Sequence, residues 1–361
     1  MLEKLTELLD RFAGMGVPSY DCSVWHHGRE IYRRMYGYSD YEKTRPIDGS
    51  ERYNIYSCSK PITVTAALTL YEKGLFGLDD KLSDYMPEFA EMTVRDGDTV
   101  RPAKTAITIR QLFTMTAGFS YNLSSPGLRE AREATGGVCP TRETMRYLAK
   151  DPLLFDPGTR YEYSLCHDVL AALVEVLTGM TFGQYVKQTI FDPLCMKDTT
   201  FLIPDEQIDT LAAQYRYDAA TKTYVNCGRR IGYKLGSAYE SGGAGCISTV
   251  NDYIKFLEAH REGRLLKEET MREMTTNQLT PEQGFGEVLT SYGYGYGLGV
   301  RCPRDADSPA VDFGWGGAAA AYLVCDRVND CTLYYAQHVL GSPNQNMRNE
   351  MPGILREALH A

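Results

Sequence analysis

Ser57-Cys58-Ser59-Lys60 pairs residue types at a spacing that suits covalent acyl-transfer chemistry. On a helix, residues three apart share one face, so the Lys60 amine can reach the Ser57 hydroxyl and accept its proton. At a helix start the backbone N–H groups lack intrahelical partners and the dipole favours negative charge, which suits an oxyanion. A capping Ser followed by a solvated Lys has the same letters, so the surroundings must decide. A lysine base must be neutral part of the time or pass its proton onward, and a tyrosine can take that second role. Among the 26 tyrosines, Tyr163 stands out by position. It lies in FDPGTRYEYSLCHDVLAALVEVLTG, where a Pro-Gly turn leads into a short extended run and then a helix. A packed aromatic at a helix entrance is the alternative. Gly-x-Ser-x-Gly, His-Glu-x-x-His and Gly-x-x-x-x-Gly-Lys do not occur, which removes the commonest hydrolase, zincin and P-loop readings.

For Lys60 to face Ser57, a helix must begin close to Ser57. Apolar residues at 64, 67, 68, 71 and 75 have helical spacing, Gly74 sits where that helix would end, and Pro61 fits only in its first turn. Upstream, an amphipathic helix opens the chain, and CSVWHH and EIYRRMYGY, joined at His27-Gly28-Arg29, read as a β-hairpin. Helices dominate between about 80 and 240: 109–115, 168–178 before Gly179, and 182–190 after the Thr181 cap. Thr249-x-x-Asp252 marks another helix, closed by Gly263. From about Tyr292 the runs YGYGYGLGV, WGGAAAAYLVCD and CTLYYAQHV predict two or three antiparallel strands, with the turn at 327–330, followed by a terminal helix from about Asn346. Strands at both ends around a helical middle imply an α/β (α+β) fold. Its antiparallel sheet domain would be built from 1–78 and 245–361, with a mainly helical domain, 79–244, inserted.

The chain has 361 residues, 43% hydrophobic and 24% charged, with a net charge of −9. That is an ordinary globular composition, and its sign disfavours nucleic acid and anionic membranes as partners. Ten dispersed cysteines without a Cys-x-x-Cys read as buried apolar residues in a reducing compartment. No stretch has the ~18 apolar residues of a membrane span and no signal peptide follows Met1, so the expectation is a cytoplasmic protein.

At this point the sequence resembles serine hydrolases of the class C β-lactamase and D-Ala-D-Ala peptidase fold, nearest to the β-lactamase-like esterases of family VIII. The resemblance rests on YSCSKPIT, ITIRQLFTMTAG, PGTRYEYS, IFDPLCM, SGGAGCIST and FGWGGAAAAYLVCD, in that order. It implies that Ser57 is the nucleophile, Lys60 the motif lysine and Tyr163 the tyrosine of a Tyr-x-Asn motif. It also implies that Trp315-Gly316-Gly317 replaces Lys-Thr-Gly on the strand lining the cleft, and that the Ala318 amide joins that of Ser57 in an oxyanion hole. Two departures matter. Leu165 stands for the motif asparagine and Trp315 for the lysine, so the substrate-binding positions Leu165, Trp315, Gly316 and Gly317 make a less polar cleft suited to neutral esters.

Other candidates carry less. His26 and His27, adjacent on a strand, would point to opposite faces and share no metal. Cys166-His167-Asp168 has the residue types of a thiol protease, but such triads assemble from distant segments, and His167 and Asp168 suit a helix start. Cys58 reads as a buried thiol. Gly293, Gly295, Gly297 and Gly299 fail the dinucleotide pattern and suit close backbone packing. The reading is a serine hydrolase that needs no metal or cofactor and acts on small carboxylic esters. A β-lactamase, a D-amino-acid peptidase, a transacylase and a catalytically silent ligand-binding member are the alternatives. Pocket shape would be set by the loops around 119–140 and 215–245.

Overall fold

A computed structural model describes residues 2–360. Seven strands form one antiparallel sheet: β1 (Ser19–His26), β2 (Arg29–Gly37), β3 (Tyr294–Tyr296), β4 (Arg301–Pro303), β5 (Phe313–Gly316), β6 (Tyr322–Asp326) and β7 (Cys331–Gln337). Their order is β2-β1-β7-β6-β5-β4-β3, so the first strand lies inside the sheet, between the edge strand β2 and the last strand. Ser23 pairs with Tyr334 and Tyr322 with Tyr335.

The pleat sends alternate residues to opposite faces, and each face has its own cover. Tyr20, Cys22, Val24, Val324 and Leu333 meet Leu5, Leu8, Leu9 and Phe12 of α1 (Glu3–Gly14) and Leu355 of the C-terminal helix Met351–His360. Leu323, Cys325 and Tyr334 face the larger core. There the helix Val250–Arg261 lays Tyr253 on Tyr334, ring centroids 4.1 Å apart. Each fully buried Leu or Phe contributes roughly 1.5–3 kcal/mol relative to exposure.

The helix that must carry the tetrad is α2 (Ser59–Glu72), buried on nearly every side. Its neighbour is α3 (Cys166–Thr178), which ends at left-handed Gly179 (φ +69°). Pro61 sits in the first turn of α2, where no N–H is needed. Thr249 caps its helix by accepting the Asp252 N–H, as the Thr-x-x-Asp spacing predicts. The expected helix over 182–190 begins at Phe182 but widens into a π turn over Lys187–Phe191. No single described helix is long and apolar enough to cross a membrane.

Two expectations need correction, and a third, close packing at the alternating glycines, holds. The C-terminal region gives this sheet five strands, because Gly297–Val300 and 317–321 reverse the chain within runs that look continuous; Ala320 takes φ +73° to do so. The His26 and His27 rings do not splay but lie with centroids 3.9 Å apart, since His27 has left the strand at φ +50°. The alternating glycines lie against other backbone and side chains: a Cβ at Gly297 would meet Met274 O at 2.1 Å, and one at Gly299 would meet Val64 at 2.3 Å.

Beneath β4 and β5, Asp312 accepts hydrogen bonds from Arg301 (2.5 Å), Arg356 (3.0 Å) and the Tyr294 hydroxyl (2.7 Å). Both Arg301 and Asp312 are fully buried. Removing the carboxylate strands a buried guanidinium, so Asp312→Ala lowers stability by about 3 kcal/mol or more, read as a fall in denaturation midpoint. An unchanged midpoint would refute that account of the pair.

Candidate active site

The nucleophile candidate is positioned by strain and by tight packing. Tyr56 has φ +49°, a conformation unusual for a non-glycine residue, and places Ser57 in a 3-10 turn (Tyr56–Cys58) that leads directly into α2. Several bonds hold this turn. The Tyr56 hydroxyl donates to Gln214 Oε1 (2.7 Å), Ser59 Oγ donates to Tyr56 O (2.5 Å), and the Cys246 N–H donates back to Ser59 Oγ (3.0 Å). On the following turn Lys60 is completely buried.

Lys60 Nζ lies 3.4 Å from Ser57 Oγ, donates to Gly243 O at 2.7 Å, stands 3.4 Å from the Tyr121 hydroxyl and sits 4.4 Å above the Tyr163 ring. Burial lowers its pKa from 10.5 to about 7, with the nearby Asp168 opposing that shift. An amine so placed is free base for much of the time at neutral pH. The Tyr163 hydroxyl is beside Ser57 and accepts a hydrogen bond from Trp315 Nε1 at 3.2 Å. Burial raises the Tyr163 phenol well above its ordinary pKa, with bonds from Ser57 and Trp315 opposing, so it stays protonated. The amine therefore meets the face of Tyr163; among the described residues no hydrogen bond joins Lys60 to its hydroxyl.

Opposite Ser57 runs the end of β5. A Cβ at Gly317 would meet Ile55 O at 2.5 Å, so only glycine lets this strand approach the nucleophile turn so closely. Arg348 donates to Gly317 O (2.9 Å) and Ala321 O (2.8 Å), fixing the 317–321 turn from below. The Gly317 and Ala320 N–H groups are bonded within that turn, whereas that of Ala318 meets no acceptor among the described residues. Ala318 and Ser57 both line a cleft of about 410 Å³. Its walls are largely aromatic: Tyr121, Tyr161, Tyr163, Tyr233, Phe285 and Trp315, with Val288 and Leu289 at the mouth.

Most of the residues singled out from sequence converge: Ser57, Tyr163, Trp315, Gly316, Gly317 and Ala318 line one cleft, with Lys60 beneath Ser57. Leu165 is the exception. Its side chain is buried in the main core at the start of α3, so it packs the helix entrance and does not touch the cleft. Cys58 is equally buried, its thiol pushed up to about 12 by desolvation.

Several participants escaped the sequence reading. Tyr121 and Tyr233 come from the two loop regions expected to shape the pocket, while the Phe285–Leu289 wall does not. Asp168, fully buried on α3, accepts from Tyr239 (2.8 Å) and Ser241 (2.6 Å), anchoring the 239–243 segment whose Gly243 carbonyl holds Lys60. A Cβ at Gly243 would meet Asp168 Oδ2 at 2.6 Å and Lys60 Nζ at 3.4 Å, so glycine there keeps the amine in place.

Comparison with known proteins places these features. A family model described as Beta-lactamase matches residues 5–350. Esterase EstB of Burkholderia gladioli is 27% identical over 94% of this chain and 89% of its own. The solved structure of EstCE1, described as a hydrolase with promiscuous acyltransferase activity, is 25% identical and superposes with a TM-score of 0.76 over 99% of both chains. The LovD6 mutant of simvastatin synthase from Aspergillus terreus shares the fold, with a TM-score of 0.80 and 22% identity over 99% of this chain and 97% of its own.

Proposed function

This chain belongs to the beta-lactamase family, and from that premise we propose that it is a serine hydrolase acting on small carboxylic esters through an acyl-enzyme on Ser57. The observation that carries the proposal is the buried Lys60 amine, 3.4 Å from Ser57 Oγ and lowered to about 7.

In this mechanism the neutral Lys60 amine takes the Ser57 proton as Oγ bonds to the ester carbonyl carbon. The oxyanion that forms is held by the Ser57 and Ala318 amides, an arrangement worth several kcal/mol in acyl transfer. Collapse breaks the bond to the alcohol, which leaves with the proton that Lys60 took, while the Tyr163 hydroxyl beside Ser57 donates a hydrogen bond to the departing oxygen. Water then adds to the acyl carbon, Ser57 departs and recovers its proton, and the acid is released. Tyr163 serves as that donor because its phenol stays protonated, and Trp315 holds that hydroxyl in place. Trp315 puts an aromatic wall where a cation would otherwise stand, and the two arginines that line the cleft are engaged elsewhere, Arg301 by Asp312 and Arg348 by the Gly317 and Ala321 carbonyls, which favours uncharged esters over anionic β-lactams. Transfer of the acyl group to a second alcohol is the alternative fate, supported by the similarity to EstCE1, described as a hydrolase with promiscuous acyltransferase activity.

We further propose that the reaction lies at the seam between a sheet unit of 1–78 and 245–361 and a helical unit of 79–244. The sheet takes its strands only from 19–37 and 294–337, and the cleft draws walls from both units. The ten cysteines are free, eight of them buried, which supports a reducing, cytoplasmic setting.

A fluorophosphonate label and a p-nitrophenyl butyrate assay test the proposal, with a chromogenic cephalosporin in parallel. Labelling and ester turnover that both require Ser57 are expected. Cephalosporin turnover without ester turnover would overturn the substrate class. Tyr163→Phe, which keeps the ring above Lys60 but loses the hydroxyl, is expected to lower kcat about 100-fold with KM little changed. Wild-type kcat in that variant would remove the Tyr163 hydroxyl from the departure of the alcohol.

A further inference from the structure

A second cavity, of about 230 Å³, lies behind the loop that carries Tyr233 and shares no lining residue with the cleft. Its floor is apolar: Ile203, Leu211 and Ile247 form a small core of their own there. Its rim is cationic, with Arg229, Arg230 and Lys234 against the one carboxylate of Asp205. Arg230 is matched to Asp205 at 2.8 Å. Arg229 is not so well matched. Its guanidinium stacks on Tyr41 and reaches Asp209 by one long contact of 3.4 Å, while its Nε is buried without a partner. Lys234 has no carboxylate within ion-pair distance among the described residues.

An apolar floor beneath two under-neutralised cations suits one kind of molecule. We propose that this cavity binds a carboxylate carrying a short aliphatic tail. The guanidinium fork of Arg229 and the Lys234 ammonium would meet the carboxylate, and the tail would cover Ile203, Leu211 and Ile247. The volume falls below the ~300–1,000 Å³ of drug-sized sites, which limits the tail to a few carbons.

The position ties the cavity to the catalytic cleft. Asn54 and Gly245 line it, three residues before Ser57 and two after Gly243. Tyr233, on the loop between Arg230 and Lys234, packs edge-on against Tyr56 and Tyr121. A ligand held by Arg229 and Lys234 therefore fixes the loop whose other side forms a wall of the cleft.

Calorimetric titration of the whole chain with hexanoate, acetate and 1-hexanol tests the site, together with a crystal soaked in hexanoate. Hexanoate is expected to bind and the other two to bind at least about tenfold more weakly, since each lacks either the tail or the charge. Lys234→Gln, whose side chain has no ion-pair partner to lose, is expected to weaken hexanoate about tenfold, Arg229→Gln at least as much, and the distant Lys104→Gln not at all. Ser57→Ala is expected to leave the affinity unchanged, which separates this site from the cleft. Hexanoate found only beside Ser57, or an affinity indifferent to both Arg229→Gln and Lys234→Gln, would overturn the proposal.

Discussion

Replacing Ser57 with alanine is expected to lower kcat on a p-nitrophenyl ester by about 10⁴-fold or more, the loss typical of removing a nucleophile from a site whose other parts act only through it. What remains would be the contribution of the Ala318 amide and of substrate binding. Lys60, Tyr163 and Trp315 are arranged around the Ser57 oxygen and have no proton to move without it. Binding is expected to survive, because the aromatic walls of the cleft do not involve Ser57. Intact-mass measurement after mixing wild type with substrate should show one acyl group, absent in Ser57→Ala. Comparable turnover in the two proteins would refute covalent catalysis at this residue.

The second large effect is on pH dependence. Only the free amine of Lys60 can accept the Ser57 proton, and its pKa in the folded protein is lowered to about 7. The free amine is populated above that value, so kcat/KM is expected to rise with pH through about 7 and level off. At pH 5, two units below, activity should stand about 100-fold under the plateau. Lys60→Arg keeps a cation but has no accessible neutral form, and it is expected to lose about 10³-fold across the whole range. A flat profile, or an active arginine variant, would mean that Lys60 acts by charge alone. The same shift bears on stability. The unfolded chain holds the Lys60 proton up to about 10.5 and the folded chain only to about 7. The cost of charging the buried amine therefore grows as pH falls from 10.5 to 7 and is constant below.

The tetrad was legible because it is local: an i, i+3 pair at a helix start needs only the helix, and the spacing of residues 64–75 with Pro61 predicted one. Caps at Thr249 and Gly179 were legible for the same reason. Tyr121, Asp168 and Gly243 were not, because they reach Lys60 from three separate segments, and nothing in their immediate neighbours marks them. Leu165 misled because alignment to a motif gives a position and says nothing of which way a side chain turns; here it turns into the core. The merged strands have a different cause. The turn inside WGGAAAAYLVCD puts alanine, not glycine or asparagine, in the left-handed region, so the usual sign of a reversal is missing.

The pairing of β1 with β7 joins residues about 300 positions apart, as in Ser23 with Tyr334. During synthesis the first hairpin emerges from the ribosome long before its central partner exists, and for that interval Tyr20, Cys22 and Val24 have no strand beside them. Such non-local closure makes the last step of folding slow and leaves an open edge that neighbouring nascent chains can occupy. Yield in a cell would thus depend on chaperone capacity and growth temperature as much as on the stability of the finished molecule.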